Sequence, residues 1–229
     1  MAVDFRPFGW LHLLSALLWL GAGTWVVLYG RFWRGSDRER RLRRAFGVLI
    51  VISESCGQIW LNTGPRFDPL YSLPLQACDL AVWCACLALL TRLRWPRALL
   101  FFFGLGLSTQ TFFTPTLRAG PASPEFWFFW TAHTEIVTAA VYLLAVEGFR
   151  PTFRDYRFSI AAGVVYVAAI LPLDLVLGAD YGYVGPSKPD TPTVLDALGP
   201  WPGRVFLIMG LTLVLFTIMW RVARRRRLA

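Results

Sequence analysis

The chain has 229 residues, 56% of them hydrophobic, with a mean hydropathy of +0.50 and a formal net charge of +9. That composition excludes an ordinary soluble domain, and the length leaves room for one membrane domain, residues 1–229, and no second. Apolar runs of about 18 residues or more recur along it, the length a helix needs to cross a bilayer.

Seven spans are predicted in chain order: 8–29, 45–62, 73–91, 98–114, 125–146, 158–178 and 203–220. The apolar run of the first is too long for a signal peptide, and no small-residue cleavage site follows it. The basic residues are not scattered. Segments 30–44, 92–97 and 147–157 and the tail after 220 carry 18 of the 23 Lys and Arg. The positive-inside rule then places the N-terminus outside and the C-terminus in the cytoplasm, with the chain a multi-pass protein of the cell membrane. The expected fold is all-α, a bundle of seven transmembrane helices. The same placement explains the charge. Arg38–Arg44 and the terminal RVARRRRLA abut spans, where they anchor topology and touch anionic lipid rather than form a nucleic-acid arm. Membrane lipids are the expected partners and nucleic acid is not.

All four cysteines lie inside predicted spans, Cys56 in the second and Cys78, Cys84 and Cys86 in the third, so no disulfide framework and no zinc ribbon is expected. Cys84 and Cys86 read as small hydrophobes. Trp10, Trp60, Trp127 and Trp201 fall at span ends and read as interfacial belt residues.

The polar residues inside the spans gather at one depth. A helix rises about 1.5 Å per residue, which puts Cys78 about 8 Å and His133 about 12 Å below the outer ends of the third and fifth spans. His12 is one turn into the first. Glu54, Gln58 and Asn62 are spaced i, i+4, i+8 along one face of the second, Gln110 and Thr114 repeat that spacing in the fourth, and Asp174 lies near the outer end of the sixth. Glu135 is nearer mid-depth. Side chains of this kind are costly against lipid, so they are expected to face one another around an outward cavity, with Gln76 and Asp79 at its rim.

A thiol beside an imidazole can become a thiolate nucleophile and attack an acyl carbonyl, so Cys78 and His133 form a candidate dyad if the third and fifth spans are neighbours. Asp79 could orient the histidine or bond to the second span, and Gln76, Gln110 or a backbone N–H could serve a developing oxyanion. A retinal site needs a lysine in the last span, and the only lysine is Lys188, in a loop; three-histidine zinc hydrolase chemistry fails on the two histidines present. A metal site of Cys, His and carboxylates stays open on residue types alone, but no metal and no cofactor is expected. The bland alternative is a non-catalytic transporter or lipid-binding protein whose polar cavity uses Glu54, Asp79, Glu135 and Asp174. The loop 178–202 is long for a bundle connection and is expected to fold over the cavity mouth, with Lys188, Tyr181 and Asp196 near a lipid head group.

LPLQACDLA in the third span, TQTFFTPTL ending the fourth, SPEFWFFWTAHTEIV opening the fifth, and KP at 188–189 followed by VLDALGPWP together resemble the YwaF-type bacterial membrane family, whose animal relative is transmembrane protein 164. The resemblance covers the second to the seventh span. It implies a seven-span fold and, by likeness to the animal relative, lipid acyl transfer with Cys78 and His133 as the catalytic pair. The chain departs from the family pattern at two places, where Asp174 and Asp180-Tyr181 stand for an Asn and an Asn-Tyr.

Overall fold

The computed structural model describes residues 5–186 and 194–225, the side chains of Val194, Asp196 and Arg225 excepted. Among these residues every regular element is helical. α1 (Trp10–Phe32), α2 (Asp37–Leu61), α5 (Pro124–Ala145), α6 (Phe153–Leu177) and α7 (Gly203–Arg225) are the long helices, and all five are long and apolar enough to cross a membrane. α3 (Ala77–Thr91) is a shorter apolar helix, and α4 (Arg94–Leu99) is one and a half turns that run on into irregular helix.

Two predicted spans are corrected. The third helix begins at Ala77, not at 73. Pro74 disfavours helical backbone at Leu73, and residues 73–76 instead spend their polar groups on other segments: Leu73 N–H donates to Tyr181 Oη (3.1 Å) and Leu75 C=O accepts from Tyr166 Oη (2.6 Å). The fourth span is not a regular helix over 98–114. It opens as α4, widens into a π-helix at Leu100–Leu105 and tightens into a 3-10 helix at Ser108–Phe112. The break falls where neighbouring helices come close. A Cβ on Gly104 would lie 2.9 Å from Ile136 of α5, and one on Gly106 would lie 3.0 Å from Met219 Sδ of α7. Short π segments of this kind recur at functional sites.

Close approach also fixes α1 on α5. Gly30 lets α1 lie against Tyr142, where a Cβ would come within 2.5 Å of the ring, and Gly23 does the same against Thr138. Small residues at a helix contact are how membrane helices gain van der Waals area, since burial from lipid supplies no hydrophobic drive. α3 sits at the centre, packed on α2, α5 and the π segment, with Ala81, Ala85, Ala88 and Leu89 wholly buried.

One end of the bundle is held by charge. Glu147, just past α5, is surrounded by Arg43 of α2 (3.3 Å), Arg92 at the end of α3 (3.4 Å) and Arg97 of α4. Arg43 also donates to Leu89 C=O and lies 3.8 Å from Glu39, which accepts from Tyr142 Oη at 2.7 Å. Next to this cluster, Asp155 accepts from Arg94 (2.9 and 2.5 Å) and from the Thr152 N–H (2.6 Å), capping α6. The arginines that sequence alone reads as topology anchors therefore also tie α2, α3, α4, α5 and α6 together. The Glu147 side chain is 2% exposed and Arg43 4%. Removing one partner of such a buried set strands the others, at a cost of about 3–5 kcal/mol. Glu147→Ala should lower thermal stability in detergent by that order, and a melting curve matching wild type would show that the cluster does not hold the bundle.

Candidate functional site

The opposite end of the bundle holds a cavity of about 740 Å³. α2 supplies one wall. Its i, i+4, i+8 polar face forms a ladder in which Gln58 donates to Glu54 (2.9 Å), and Asn62 lies within bonding distance of Gln58 Oε1 (3.2 Å) and donates to Ser72 C=O (3.0 Å). The ladder holds the loop before α3 in place and leaves Glu54 and Gln58 on the cavity.

α3 supplies the second wall through its first turn. Asp79 accepts the Gln76 N–H at 2.8 Å, which satisfies one of the donors a helix start leaves open. Gln76 Oε1 accepts from Gly182 N–H at 2.8 Å and so ties the loop after α6 to the α3 start. Cys78 lies between these two anchored residues and lines the cavity. Because α3 begins at Ala77, Cys78 belongs to the first turn rather than lying about 8 Å into a span.

α5 packs directly on α3 and presents His133 to the same cavity. Its Nδ1 is 2.8 Å from Phe129 C=O. A carbonyl only accepts, so Nδ1 carries a proton, and in the neutral form of the ring Nε2 is the nitrogen with the lone pair. Among the described residues no hydrogen bond joins His133 to Cys78. Two residues on, about half a turn round the helix, Glu135 is buried behind the wall, its two carboxylate oxygens 2.9 and 2.7 Å from Ser53 Oγ.

The 3-10 segment brings Ser108, Gln110 and Thr111 to the cavity, and α7 closes it with an apolar face. Of the sequence-predicted residues, Cys78, His133, Glu54, Gln58, Gln76, Asp79 and Gln110 share this one space. His12 and Asp174 do not line it. His12 accepts from Phe8 N–H at Nδ1 (2.9 Å), so its Nε2 donates to Phe112 C=O (3.1 Å), and both nitrogens are spent on joining α1 to the end of the 3-10 segment. Asp174 is wholly buried and accepts the Tyr181 N–H (3.0 Å), which folds the chain back after α6. Tyr181 lies behind the rim, donating to Pro69 C=O (2.9 Å), while its neighbours Gly182 and Tyr183 line the cavity. Lys188 and the side chain of Asp196 lie outside the described residues.

Sequence reasoning missed several lining residues. Glu125 and Tyr71 bond at 3.2 Å at the mouth. Glu125 follows Ser123 and Pro124 at a helix start, where an acid reads as a cap. Thr212 is one of two hydroxyls in an apolar span, and Ser53 sits one place before Glu54, off the i, i+4, i+8 face.

A family model for TMEM164 matches residues 7–220. The chain belongs to the TMEM164 family. No curated protein and no solved structure matches it. The family match spans all the elements that build the cavity, so the site of this TMEM164-family member lies wholly within the matched region.

The start of the loop that follows α6 is anchored by Arg204, which donates to Asp180 (2.9 Å) and to Gly185 C=O (2.8 Å). Burial, only partly offset by Arg204, pushes the Asp180 carboxyl up to about 7. The folded chain then holds this proton more tightly than the unfolded chain does. Its contribution to stability is full below the ordinary carboxylate range and is lost as pH rises through about 7. The melting temperature should therefore fall between about pH 4 and pH 7 more steeply in wild type than in Asp180→Asn. Parallel slopes would remove Asp180 as the cause.

Proposed function

We propose that the protein is a membrane-embedded lipid acyltransferase or lipid-ester hydrolase, with Cys78 as nucleophile and His133 as base. The observation that carries this reading is that the one thiol at a helix start and an imidazole whose Nδ1 lies against a backbone carbonyl line the same cavity from helices that pack together. Apo catalytic pairs are commonly looser than their working geometry, so the missing hydrogen bond is compatible with it.

In the proposed reaction the Cys78 thiol gives its proton to His133 Nε2, and the sulfur attacks the carbonyl carbon of a lipid ester. The tetrahedral intermediate collapses with cleavage of the C–O bond, and the leaving alkoxide takes the proton from His133. The resulting thioester is then attacked by the hydroxyl of an acceptor lipid or by water. His133 removes the attacker's proton and returns it to the Cys78 sulfur as the C–S bond breaks. Gln110 and Gln76 are the side-chain amides available to the developing oxyanion.

In the same reading all seven helical segments cross the cell membrane, with α4 and its π and 3-10 continuation counting as one crossing. The cavity opens outward and the arginine cluster faces the cytoplasm, following the positive-inside rule. Reporter fusions at 38 and 120 should read inside and outside; the reverse would invert the cavity.

A second reading, a non-catalytic transporter or lipid-binding protein, is favoured by one observation: the ladder from Glu54 to Asn62 is fully formed while Cys78 and His133 are unlinked. A hydrophobic thiol-reactive acyl probe separates the two. Under the catalytic reading Cys78 is labelled ahead of Cys56, Cys84 and Cys86, and His133→Ala lowers that labelling. Turnover of a fluorogenic lipid ester should fall about 10²–10⁴-fold in His133→Ala, the range of a lost general base. Equal labelling of all four cysteines, or full turnover in Cys78→Ala, would leave the second reading.

A further inference from the structure

α7 has three faces, and their order around the helix is informative. At 3.6 residues per turn each residue advances about 100°. Val205 and Phe216 fall on one side and are 5% and 1% exposed; Phe216 packs on Phe102 and Phe103 with ring centroids 5.0 and 5.5 Å away. The adjoining side carries Ile208, Leu211, Thr212, Leu215 and Ile218, all on the cavity. Going further round come Val214, Leu207, Phe206 and Leu213, all exposed.

On the Phe216 side a packed seam separates the cavity from the outer surface. On the other side the described residues form none. Leu211, Val214 and Ile218 line the cavity and are also 53%, 55% and 54% exposed, and the residues beyond them face outward. Apart from the Phe216 seam, side-chain hydrogen bonds hold α7 toward its two ends. Arg204 bonds Asp180 and Gly185 above, and Thr217 shares a hydrogen bond with Tyr156 Oη (3.0 Å) below.

We propose that the cavity opens sideways into the bilayer along α7 and that this portal admits the acyl chain of a membrane lipid. The chain lies along Ile208, Leu211, Leu215 and Ile218, and the polar end of the lipid lies toward Glu54, Cys78 and His133. Residues 208–218 give an apolar wall about 15 Å long at about 1.5 Å per residue. A bilayer presents acyl chains at that depth, and the facing polar wall suits the ester end of the same molecule. The inference rests on reading the cavity as a lipid site, but not on chemistry at Cys78.

The test uses the full chain with Cys78→Ala in phosphatidylglycerol vesicles doped with a phosphatidylglycerol bearing a diazirine near the end of one chain. After photolysis, the labelled residues are mapped by mass spectrometry. Val82 and Ile136 line the cavity but are each 1% exposed, so lipid surrounding the protein cannot reach them. Val165 and Val176 on the outer face of α6 report that surrounding lipid. Label is expected at 208–218 and at Val82 or Ile136. Leu211→Trp and Val214→Trp, which narrow the portal, should lower the interior label severalfold and leave the α6 label unchanged. Elution profile and melting temperature confirm that both variants fold. Label confined to the outer faces, or interior label indifferent to both tryptophans, would overturn the portal. The catalytic reading fails separately. Interior label in a protein whose wild type turns over no ester keeps the portal and removes the chemistry. Acylation of wild-type Cys78 by a soluble short-chain thioester, without interior lipid label, keeps the chemistry and removes the portal.

Discussion

A carboxylate, amide or imidazole at membrane depth must find its partners inside the protein, because lipid offers none. The arrangement of this bundle follows from that constraint at both ends. At the arginine-rich end the charged groups pair with one another, with Arg43, Arg92 and Arg97 gathered on Glu147 and Asp155 held by Arg94. At the other end the polar groups are only partly satisfied by each other, and what they leave over surrounds a cavity. The first arrangement ties the helices to one another; the second leaves polar groups lining a cavity.

The two ends are linked through α3. Its buried alanines let α2 and α5 approach from either side, and its first turn carries Cys78 between two anchored residues. Asp79 answers a local need, the open N–H of a helix start, while Gln76 answers a distant one, the Gly182 N–H of the loop above. The thiol is thereby held without bonding to either neighbour. His133 is treated alike: one nitrogen is fixed by the backbone one turn back, and the other is left with its lone pair.

Much of this was legible in the sequence, because periodicity survives folding. The i, i+4, i+8 run of Glu54, Gln58 and Asn62 became a hydrogen-bonded ladder, and the quoted motifs pointed to the family that the match over residues 7–220 shows. What was not legible depends on partners distant in the chain. The late start of α3 follows from Pro74 together with Tyr181 and Tyr166, which no local pattern announces. The π break in the fourth segment follows from contacts with Ile136 and Met219. His12 looked like a cavity residue by depth alone, yet backbone groups at Phe8 and Phe112 occupy both of its nitrogens. Glu147 follows α5 with no local pattern to mark it, and only the fold brings three arginines to it. The apolar wall of α7 was invisible for a different reason: leucines that line a cavity and leucines that face lipid have the same composition.

The central claim is that the group held at the start of α3 forms a covalent bond to an acyl chain. Its most direct measurement is intact-protein mass spectrometry of the purified chain in phospholipid vesicles, quenched at acid pH to preserve thioesters, with peptide mapping of any adduct. The account expects a hydroxylamine-sensitive mass increase equal to one acyl group, located on Cys78, absent in Cys78→Ala and reduced in His133→Ala. No adduct on Cys78 under turnover conditions, or the same adduct on Cys56 when Cys78 is removed, would contradict it.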